Sequence, residues 1–303
     1  MNILVTGAWH DAKEHIGQIE KLGHSVRFMQ YEKEALPCDY NWVEGVICNG
    51  LFLTHQIQNF TNLKYIQLTS AGLDRVPMDY VQKKNIHIFN ARGVYSIPMA
   101  EFAVGGVFQL YKRYSLFYCN KNLHKWEKQR DLIELFGKTV CIAGCGSVGT
   151  ECAKRFKAFG CRVIGVDVVK QNNDNYDELF LTDSFDDVIK QADIVVLTLP
   201  LTKETHHILD KSMIDKLKPN AVLVNISRGG VVDTQALIEA LKENKFLGAV
   251  LDVFEEEPPA EDCELWDLQN VVITPHNSFV GDGNNNRLNN VIMKNLMSMG
   301  EIV

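Results

Sequence analysis

The chain has 303 residues, enough for two domains of ordinary size. Its hydrophobic content of 46% and charged content of 23% are typical of a globular protein that folds in water. A net charge of −7 gives no sign of the basic surface that binds nucleic acids or anionic membranes, so we expect neither as a partner.

The cysteine pattern and the N-terminal sequence indicate a cytoplasmic protein. The eight cysteines form no C-x-x-C pair and no close cluster with histidine, which favours a reducing compartment and argues against zinc, so no metal is expected. The N-terminal residues read as a strand leading into a turn rather than as a signal peptide. No uncharged apolar stretch reaches the roughly eighteen residues needed to span a bilayer.

The first ninety or so residues alternate short apolar runs with helical segments, which predicts a compact α/β domain. The expected strands are Asn2–Val5, Ser25–Met29, Val43–Cys48, Lys64–Leu68 and Ile86–Phe89, and the expected helices are His15–Leu22 and Thr54–Asn62. The turn after the first strand has a single glycine, and no acid ends the second strand, so this unit is interpreted as structural rather than as a nucleotide site. The loop Thr69–Asp74 follows a strand end, and the sequence leaves open a ligand-binding loop and a plain turn.

A long helix is expected at Ser96–Arg113, with Ser96 as its cap and Pro98 in its first turn. The pair Gly105-Gly106 would weaken an isolated helix, so we expect an element to pack closely there, and we interpret the helix as an inter-domain or inter-subunit element. The segment Tyr114–Phe136 mixes basic and aromatic residues, as nucleic-acid-binding segments do, but its acidic residues favour a connecting arm.

The stretch Thr139–Asp167 has the pattern of a dinucleotide-binding unit. An apolar run ends in Gly144, Gly146 and Gly149, spaced as G-x-G-x-x-G, and a helical segment then leads to a second apolar run that ends on Asp167. The glycines permit a tight turn, the approach of a pyrophosphate and close helix–strand packing, while the helix N-terminus attracts phosphate. Asp167 can accept hydrogen bonds from both ribose hydroxyls of an adenosine, so the segment predicts nucleotide binding.

Six strands are expected in this second domain: Val140–Ala143, Cys161–Val166, Asp193–Leu199, Ala221–Ile226, Leu247–Val253 and Val271–Thr274. Helices are expected at Ser212–Leu217, from Asp233 or Thr234 to about Asn244, and at Asn284–Met299. The last three strands run into Arg228, Glu255–Glu257 and His276, and parallel strands place such residues at one sheet edge. Taken singly, each residue has an ordinary surface or turn interpretation. Together they suit reduction of a 2-oxo acid, because arginine matches a carboxylate, histidine donates a proton and glutamate stabilises the imidazolium.

With these residues in place, the chain resembles the D-isomer-specific 2-hydroxyacid dehydrogenase family over nearly its whole length. The motifs that support the resemblance are GCGSVG with Asp167, LPLTKETHHIL (Leu199–Leu209), NISRGGVVD (Asn225–Asp233), LDVFEEEPP (Leu251–Pro259) and TPH (Thr274–His276). The resemblance implies an α/β protein with two doubly wound parallel-sheet domains. A Rossmann NAD-binding domain, residues 96–279, is inserted in a flavodoxin-like substrate-binding domain, residues 1–95 and 280–303. A homodimer built on the nucleotide domains is also implied.

The resemblance further implies roles for single residues in the NAD-dependent interconversion of a 2-oxo acid and its D-2-hydroxy acid. Arg228 is expected to bind the substrate carboxylate, His276 to be the acid/base and Glu257 to be its partner. The backbone of Ser70, Ala71 and Gly72 is expected to hold the carboxylate as well. Contacts with NAD are expected at Gly144, Gly146, Ser147, Val148, Gly149, Asp167, Pro200, Thr205, Ile226, Ser227 and Asp252.

Two departures from the family pattern leave the substrate open. Tyr95 stands where many members carry Asn, and Asn277-Ser278 follow the TPH motif where many members have small residues. An alternative function on the same fold is that of an NAD-sensing, corepressor-like binding protein. The presence of Arg228, Glu257 and His276 together favours catalysis.

Overall fold

The computed structural model describes residues 1–170 and 173–299, so residues 300–303 of the expected substrate-binding segment lie outside the described residues. The polypeptide divides into two units. The first comprises Met1–Tyr95 and the chain from Gly281 onward, and the second is Ser96–Val280.

Strands and helices alternate along both units. The strands are β1 Asn2–Thr6, β2 Ser25–Met29, β3 Gly45–Cys48, β4 Tyr65–Leu68, β5 His87–Phe89, β6 Thr139–Ala143, β7 Arg162–Asp167, β8 Glu178–Leu181, β9 Ile194–Leu197, β10 Val222–Asn225, β11 Gly248–Leu251 and β12 Val271–Ile273. The helices are α1 Ala12–Lys21, α2 Met78–Lys83, α3 Ser96–Tyr111, α4 Tyr114–Asn122, α5 Ser147–Ala158, α6 Phe185–Ile189, α7 Lys211–Ile214, α8 Thr234–Lys242 and α9 Asn284–Met299. Within the described ranges, none of these helices is long and apolar enough to cross a membrane.

The first unit is a five-stranded parallel sheet with the strand order β2-β1-β3-β4-β5, the flavodoxin-like order. Strands β3 and β4 are buried at every residue, as expected for a parallel sheet covered on both faces. Helix α9 contributes Leu288, Ile292 and Leu296, spaced four residues apart on one helix face, to the core on one side of the sheet. A polar side chain of α9 also bonds to the rest of this unit. Asn289 Oδ1 accepts a hydrogen bond from Trp9 Nε1 at 2.6 Å.

The second unit is a seven-stranded parallel sheet with the order β12-β11-β10-β9-β6-β7-β8. The strand order reverses between β6 and β9, and this switch point is where dinucleotides bind in doubly wound sheets. Residues near the carboxyl ends of six strands are paired in one row: Val166, Ala143, Leu197, Asn225, Leu251 and Ile273. The loops that follow these strands therefore leave the sheet along one edge, as the sequence predicts. Two parallel-sheet α/β domains confirm the predicted fold class.

Helix α3 packs closely against the second sheet, as its two glycines predict. A Cβ atom on Gly106 would lie 2.5 Å from Cγ1 and 3.0 Å from Cγ2 of Val250 in β11. A Cβ atom on Gly105 would meet nothing among the described residues within 4 Å. The requirement for close approach therefore applies to Gly106 and not to Gly105.

Several predicted elements were wrong or incomplete. The helix expected at Thr54–Asn62 is instead two single 3₁₀ turns, Leu51–Leu53 and Ile57–Asn59. The side chains of Thr54 and His55 bond to the Glu32 carbonyl oxygen, at 2.9 and 3.0 Å, and such bonds compete with helix formation. The expected arm Tyr114–Phe136 begins with helix α4, and the second sheet has a seventh strand, β8, that the sequence analysis did not predict.

Candidate active site

Three glycines with different tasks form the turn between β6 and α5. Gly144 has a φ of +96°, a conformation that favours glycine. A Cβ atom on Gly149 would lie 2.0 Å from the Gly144 carbonyl oxygen, so a side chain there would force the helix away from the turn. A Cβ atom on Gly146 would meet no described residue within 4 Å, which leaves space for a ligand beside the N-terminus of α5.

Asp167 ends β7 next to this turn and is fixed by backbone donors. Its Oδ2 accepts from the Cys145 N–H at 2.6 Å, and its Oδ1 accepts from the Val168 N–H at 2.7 Å. Burial raises the pKa of the neighbouring Cys145 thiol to about 11, so the cysteine is protonated near neutral pH. The turn therefore presents a fixed carboxylate and a neutral thiol.

Two polar side chains that the sequence analysis missed, one half-buried and one buried, hold the strand ends in shape. Thr198 Oγ1, just beyond β9, donates to the Gly144 carbonyl oxygen at 2.6 Å. Asn225, the last residue of β10, accepts from the Ser227 N–H at 3.1 Å and donates to the Arg228 carbonyl oxygen at 3.1 Å. A polar residue at the end of an apolar strand is the sequence signal that could have identified both.

Arg228 lies in the loop after β10, which packs directly on the loop after β11. A Cβ atom on Gly229 would lie 1.8 Å from the Phe254 carbonyl carbon, so only glycine permits this contact between the two backbones. The Arg228 side chain is half-buried, and its Nη1 donates to the Ser227 carbonyl oxygen at 2.7 Å. The local backbone thus holds the guanidinium-bearing residue beside the segment that contains Glu257.

Glu257 and His276 form the pair that the sequence predicts. The distance from His276 Nδ1 to Glu257 Oε2 is 2.8 Å, and Glu257 Oε1 accepts from the Phe254 N–H at 3.0 Å. Since a carboxylate only accepts, Nδ1 is the donor, and Nε2 is the ring nitrogen left for a substrate. The neighbouring Glu255 instead bonds to His207 Nε2 at 3.0 Å and to the Thr234 N–H at 2.9 Å.

Asp252 is the buried support of the His276 loop. Asp252 is fully buried. Its carboxylate accepts hydrogen bonds from Thr274 Oγ1 at 2.6 Å, the Asn277 N–H at 2.7 Å and the Ser278 N–H at 2.9 Å. The Asp252 carbonyl oxygen also accepts from the His276 N–H at 2.8 Å. His276 has a φ of +51°, a left-handed conformation uncommon outside glycine, and these bonds hold it there.

In the first unit, the loop after β4 presents backbone N–H groups. The four carbonyl oxygens of residues 69–72 each accept a hydrogen bond. The Thr69 carbonyl accepts from Tyr95 Oη, and the Ser70 carbonyl from the Ala91 N–H at 2.9 Å. The Ala71 carbonyl accepts from Asn90 Nδ2 at 2.7 Å, and the Gly72 carbonyl from Ser70 Oγ at 3.1 Å. The N–H groups of Ser70, Ala71 and Gly72 donate to no acceptor in the part of the chain that the structure describes. Fixed carbonyls and available N–H groups are the arrangement of an anion-binding loop, which favours the ligand-binding interpretation over the plain turn.

Tyr95 fixes the first of these carbonyls. Burial raises the pKa of Tyr95 above its ordinary value, so the phenol remains a donor to the Thr69 carbonyl oxygen. An asparagine at this position would have a shorter side chain. The residue that departs from the family pattern therefore contacts the backbone of the predicted substrate loop.

Comparison with known proteins identifies the family. The model for the D-isomer-specific 2-hydroxyacid dehydrogenase, NAD-binding domain, matches residues 104–278. The chain belongs to this family. It is 33% identical to a glyoxylate reductase from Thermofilum pendens over 88% of the chain and 77% of that protein.

Two further similarities bear on length and structure. The D-3-phosphoglycerate dehydrogenase of Methanocaldococcus jannaschii is 37% identical over 76% of the chain, but the match spans 44% of that protein. The chain thus covers less than half the length of this relative. Among solved structures, a D-lactate dehydrogenase from Aquifex aeolicus complexed with NAD and lactic acid has a TM-score of 0.80 at 27% identity. That comparison covers 99% of this chain and 96% of the other.

Membership of the family confirms NAD as the cofactor, and the second unit fits it. The space beside Gly146 suits a pyrophosphate, and the fixed Asp167 carboxylate suits ribose hydroxyls. The other predicted contacts lie in the first turn of α5 or in loops at the same sheet edge: Ser147, Val148, Pro200, Thr205, Ile226, Ser227 and Asp252. Ile226, Ser227 and Asp252 are buried, and the Asp252 N–H and carbonyl oxygen already bond to the Asn225 carbonyl oxygen and the His276 N–H.

Proposed function

We propose that the protein is an NAD-dependent oxidoreductase that interconverts a 2-oxo acid and its D-2-hydroxy acid. The observation that supports this most is the His276–Glu257 hydrogen bond of 2.8 Å, at the same sheet edge as the glycine turn. When bound, NADH supplies the hydride that the reduction requires. The proposal assigns every other task to side chains of the protein.

His276 donates the proton of the reduction from Nε2, because Nδ1 is engaged by Glu257. In the reverse direction, neutral Nε2 accepts the hydroxyl proton. Glu257 orients the imidazole by accepting from Nδ1, and Glu257 is itself held by the Phe254 N–H. Arg228 binds the substrate carboxylate, since its planar guanidinium can donate two parallel hydrogen bonds to the two oxygens. Within the first unit, the N–H groups of residues 70–72 are available to an anionic group.

We propose small 2-oxo acids such as glyoxylate as the substrates. The glyoxylate reductase relative supports this choice, because the similarity covers most of both chains. The match to the phosphoglycerate dehydrogenase gives weaker support for a phosphorylated acid, since it covers less than half of that protein. A panel of 2-oxo acids, assayed by NADH absorbance, ranks these substrates directly.

Replacing Arg228 by Lys tests the proposal. Lysine keeps the charge but loses the fork, and a lost hydrogen bond between charged groups corresponds to about 1.5–3 kcal/mol, or roughly 10–100-fold in kcat/KM. The binding constant for NADH should stay within about twofold of the wild type, which fluorescence titration measures. Arg162→Lys is the matched control, because Arg162 lies at the amino end of β7 and pairs with Glu178. Equal kcat/KM for Arg228→Lys and the wild type would contradict the carboxylate role.

We also infer a homodimer that uses the arm Tyr114–Phe136. This arm exposes several large apolar side chains close together in sequence: Tyr114, Tyr118, Leu123, Trp126 and Phe136. Trp126 is 96% exposed, and such apolar surface commonly marks a protein–protein interface. Sedimentation of the full chain should show a dimer, and Trp126→Ser should shift it toward monomer.

All eight cysteines are free thiols, which supports the cytoplasm as the location.

A further inference from the structure

We propose that His206, His207 and Glu255 form a binding site for a borderline divalent transition-metal ion such as Zn²⁺. One ligand atom from each of these residues, a ring nitrogen or a carboxylate oxygen, lies within 4.8 Å of the other two. The proposed site is separate from the Glu257–His276 pair and from the glycine turn. Sequence reasoning did not predict it, because Glu255 lies 48 residues beyond His207.

The chemistry of the three ligands selects the class of metal. Two imidazoles with one carboxylate are a common ligand set for zinc, whereas magnesium and calcium prefer oxygen ligands alone. His207 Nε2 and Glu255 Oε2 are 3.0 Å apart, and an ion about 2.0–2.2 Å from each can bridge them. The His206 ring stacks on the His207 ring with centroids 4.0 Å apart, so the second imidazole lies next to the first.

The backbone and neighbouring donors hold two of the ligands before any ion binds. The His207 N–H donates to the Gly230 carbonyl oxygen at 2.9 Å, and His207 has a left-handed φ of +51°. Glu255 Oε1 accepts from the Thr234 N–H at 2.9 Å, which leaves Oε2 toward the imidazoles. Such outer hydrogen bonds orient metal ligands and strengthen binding.

The third ligand, His206, can adjust its position. His206 is exposed and makes a ring contact rather than a side-chain hydrogen bond among the described residues, so it can turn toward an ion, whose binding at His207 Nε2 replaces the proton that bonds to Glu255.

Binding at this place would connect two loops that the proposed reaction uses. His206 follows Thr205, which closes the loop after β9 by donating to the Pro200 carbonyl oxygen at 2.6 Å. Glu255 lies two residues before Glu257 in the loop after β11. An ion held by both loops would restrict their movement, so we expect Zn²⁺ to inhibit the 2-oxo acid reductase and EDTA to restore activity.

Isothermal titration calorimetry of the chelator-treated full chain with ZnCl₂ tests the site. We expect one Zn²⁺ per chain and no comparable binding of MgCl₂. His206→Gln keeps the His207–Glu255 hydrogen bond and should fold normally, but it should weaken Zn²⁺ binding by at least about tenfold, since even outer-shell partners alter metal affinity by 10–100-fold. A thermal midpoint equal to that of the wild type, measured without metal, checks the fold.

Two further variants separate the site from other histidine–carboxylate pairs. His10→Gln alters a comparable pair, His10 with Asp11 at 2.7 Å, and should leave Zn²⁺ binding unchanged. His276→Asn removes the acid/base histidine and should also leave Zn²⁺ binding unchanged. The proposal is overturned if His206→Gln binds Zn²⁺ like the wild type, if His276→Asn abolishes binding, or if Mg²⁺ binds as well as Zn²⁺. Because this readout is metal binding, it stays informative even if the dehydrogenase proposal fails.

Discussion

Replacing Asp252 by Asn tests whether this residue positions the His276 loop or binds the cofactor. In the structure, Oδ1 accepts from Thr274 Oγ1 and the Asn277 N–H, while Oδ2 accepts from the Ser278 N–H. An asparagine amide can replace only one of these two oxygens. If its oxygen takes the place of Oδ1, its NH₂ group faces the Ser278 N–H, and two donors meet without an acceptor.

The expected loss follows from these contacts. A buried donor left without an acceptor costs about 1–3 kcal/mol. For domains of 150–250 residues, each kcal/mol lowers the melting temperature by roughly 2–4 °C. The Asp252 carbonyl oxygen accepts from the His276 N–H, so the distortion reaches the His276 ring, and a misplacement of about 1 Å in a catalytic group can lower the rate by about 10²-fold.

The assay compares three quantities for Asp252→Asn: the melting temperature, kcat for the 2-oxo acid and the dissociation constant of NADH. We expect the first two to fall and the third to change little. Thr274→Val removes one donor and leaves the carboxylate, so it should show a smaller effect in the same direction. Normal kcat and melting temperature together with weakened NADH binding would refute the positioning role and restore Asp252 as a cofactor contact.

Three other changes test separate features. Asp167→Ala should reduce the preference for NADH over NADPH chiefly by weakening NADH, and equal kcat/KM of the wild type with both cofactors would contradict the ribose role. Tyr95→Phe removes the donor to the Thr69 carbonyl oxygen, so it should raise KM for the 2-oxo acid several-fold with kcat nearly unchanged. Steady-state kinetics measure both constants, and Tyr95→Asn serves as a second variant. Gly106→Ala should destabilise the protein by about 1–3 kcal/mol through overpacking, whereas Gly105→Ala should stabilise it by up to about 1 kcal/mol, and urea unfolding of the two distinguishes them.

The sequence alone was sufficient to predict the structure of a segment where one physical rule dominates that segment. Buried parallel strands read as apolar runs, so β6, β7 and β9–β11 were predicted within a few residues, and the edge strand β12 was predicted because it is also an apolar run. Strand ends at one edge then placed Arg228, Glu257 and His276 in neighbouring loops. The strand pattern left Glu255–Glu257 open, and the choice of Glu257, which the family resemblance implies, agrees with the hydrogen bonds of the structure.

The rest depends on contacts between distant parts of the chain, which local patterns do not contain. Strand β8 is only partly buried at the sheet edge, so it lacks the apolar run that reveals the other strands. The Thr54–His55 segment has helical spacing, but the Glu32 carbonyl oxygen captures both side chains. The support of His276 by Asp252, and the approach of Gly229 to Phe254, likewise appear only once the sheet is assembled.

The contribution of α9 to the first unit has a consequence for biosynthesis. The core of that unit includes Leu288, Ile292 and Leu296, and Asn295 Nδ2 donates to the buried Gln67 at 2.8 Å, 228 residues earlier in the chain. A ribosome makes the entire second unit before it makes α9. The strands of the first unit therefore emerge before α9 can cover one apolar face of their sheet. The second unit does not need α9 and can fold as soon as it has been made. We expect the order of folding on the ribosome to be the reverse of the order of synthesis, with chaperone demand greatest before α9 emerges.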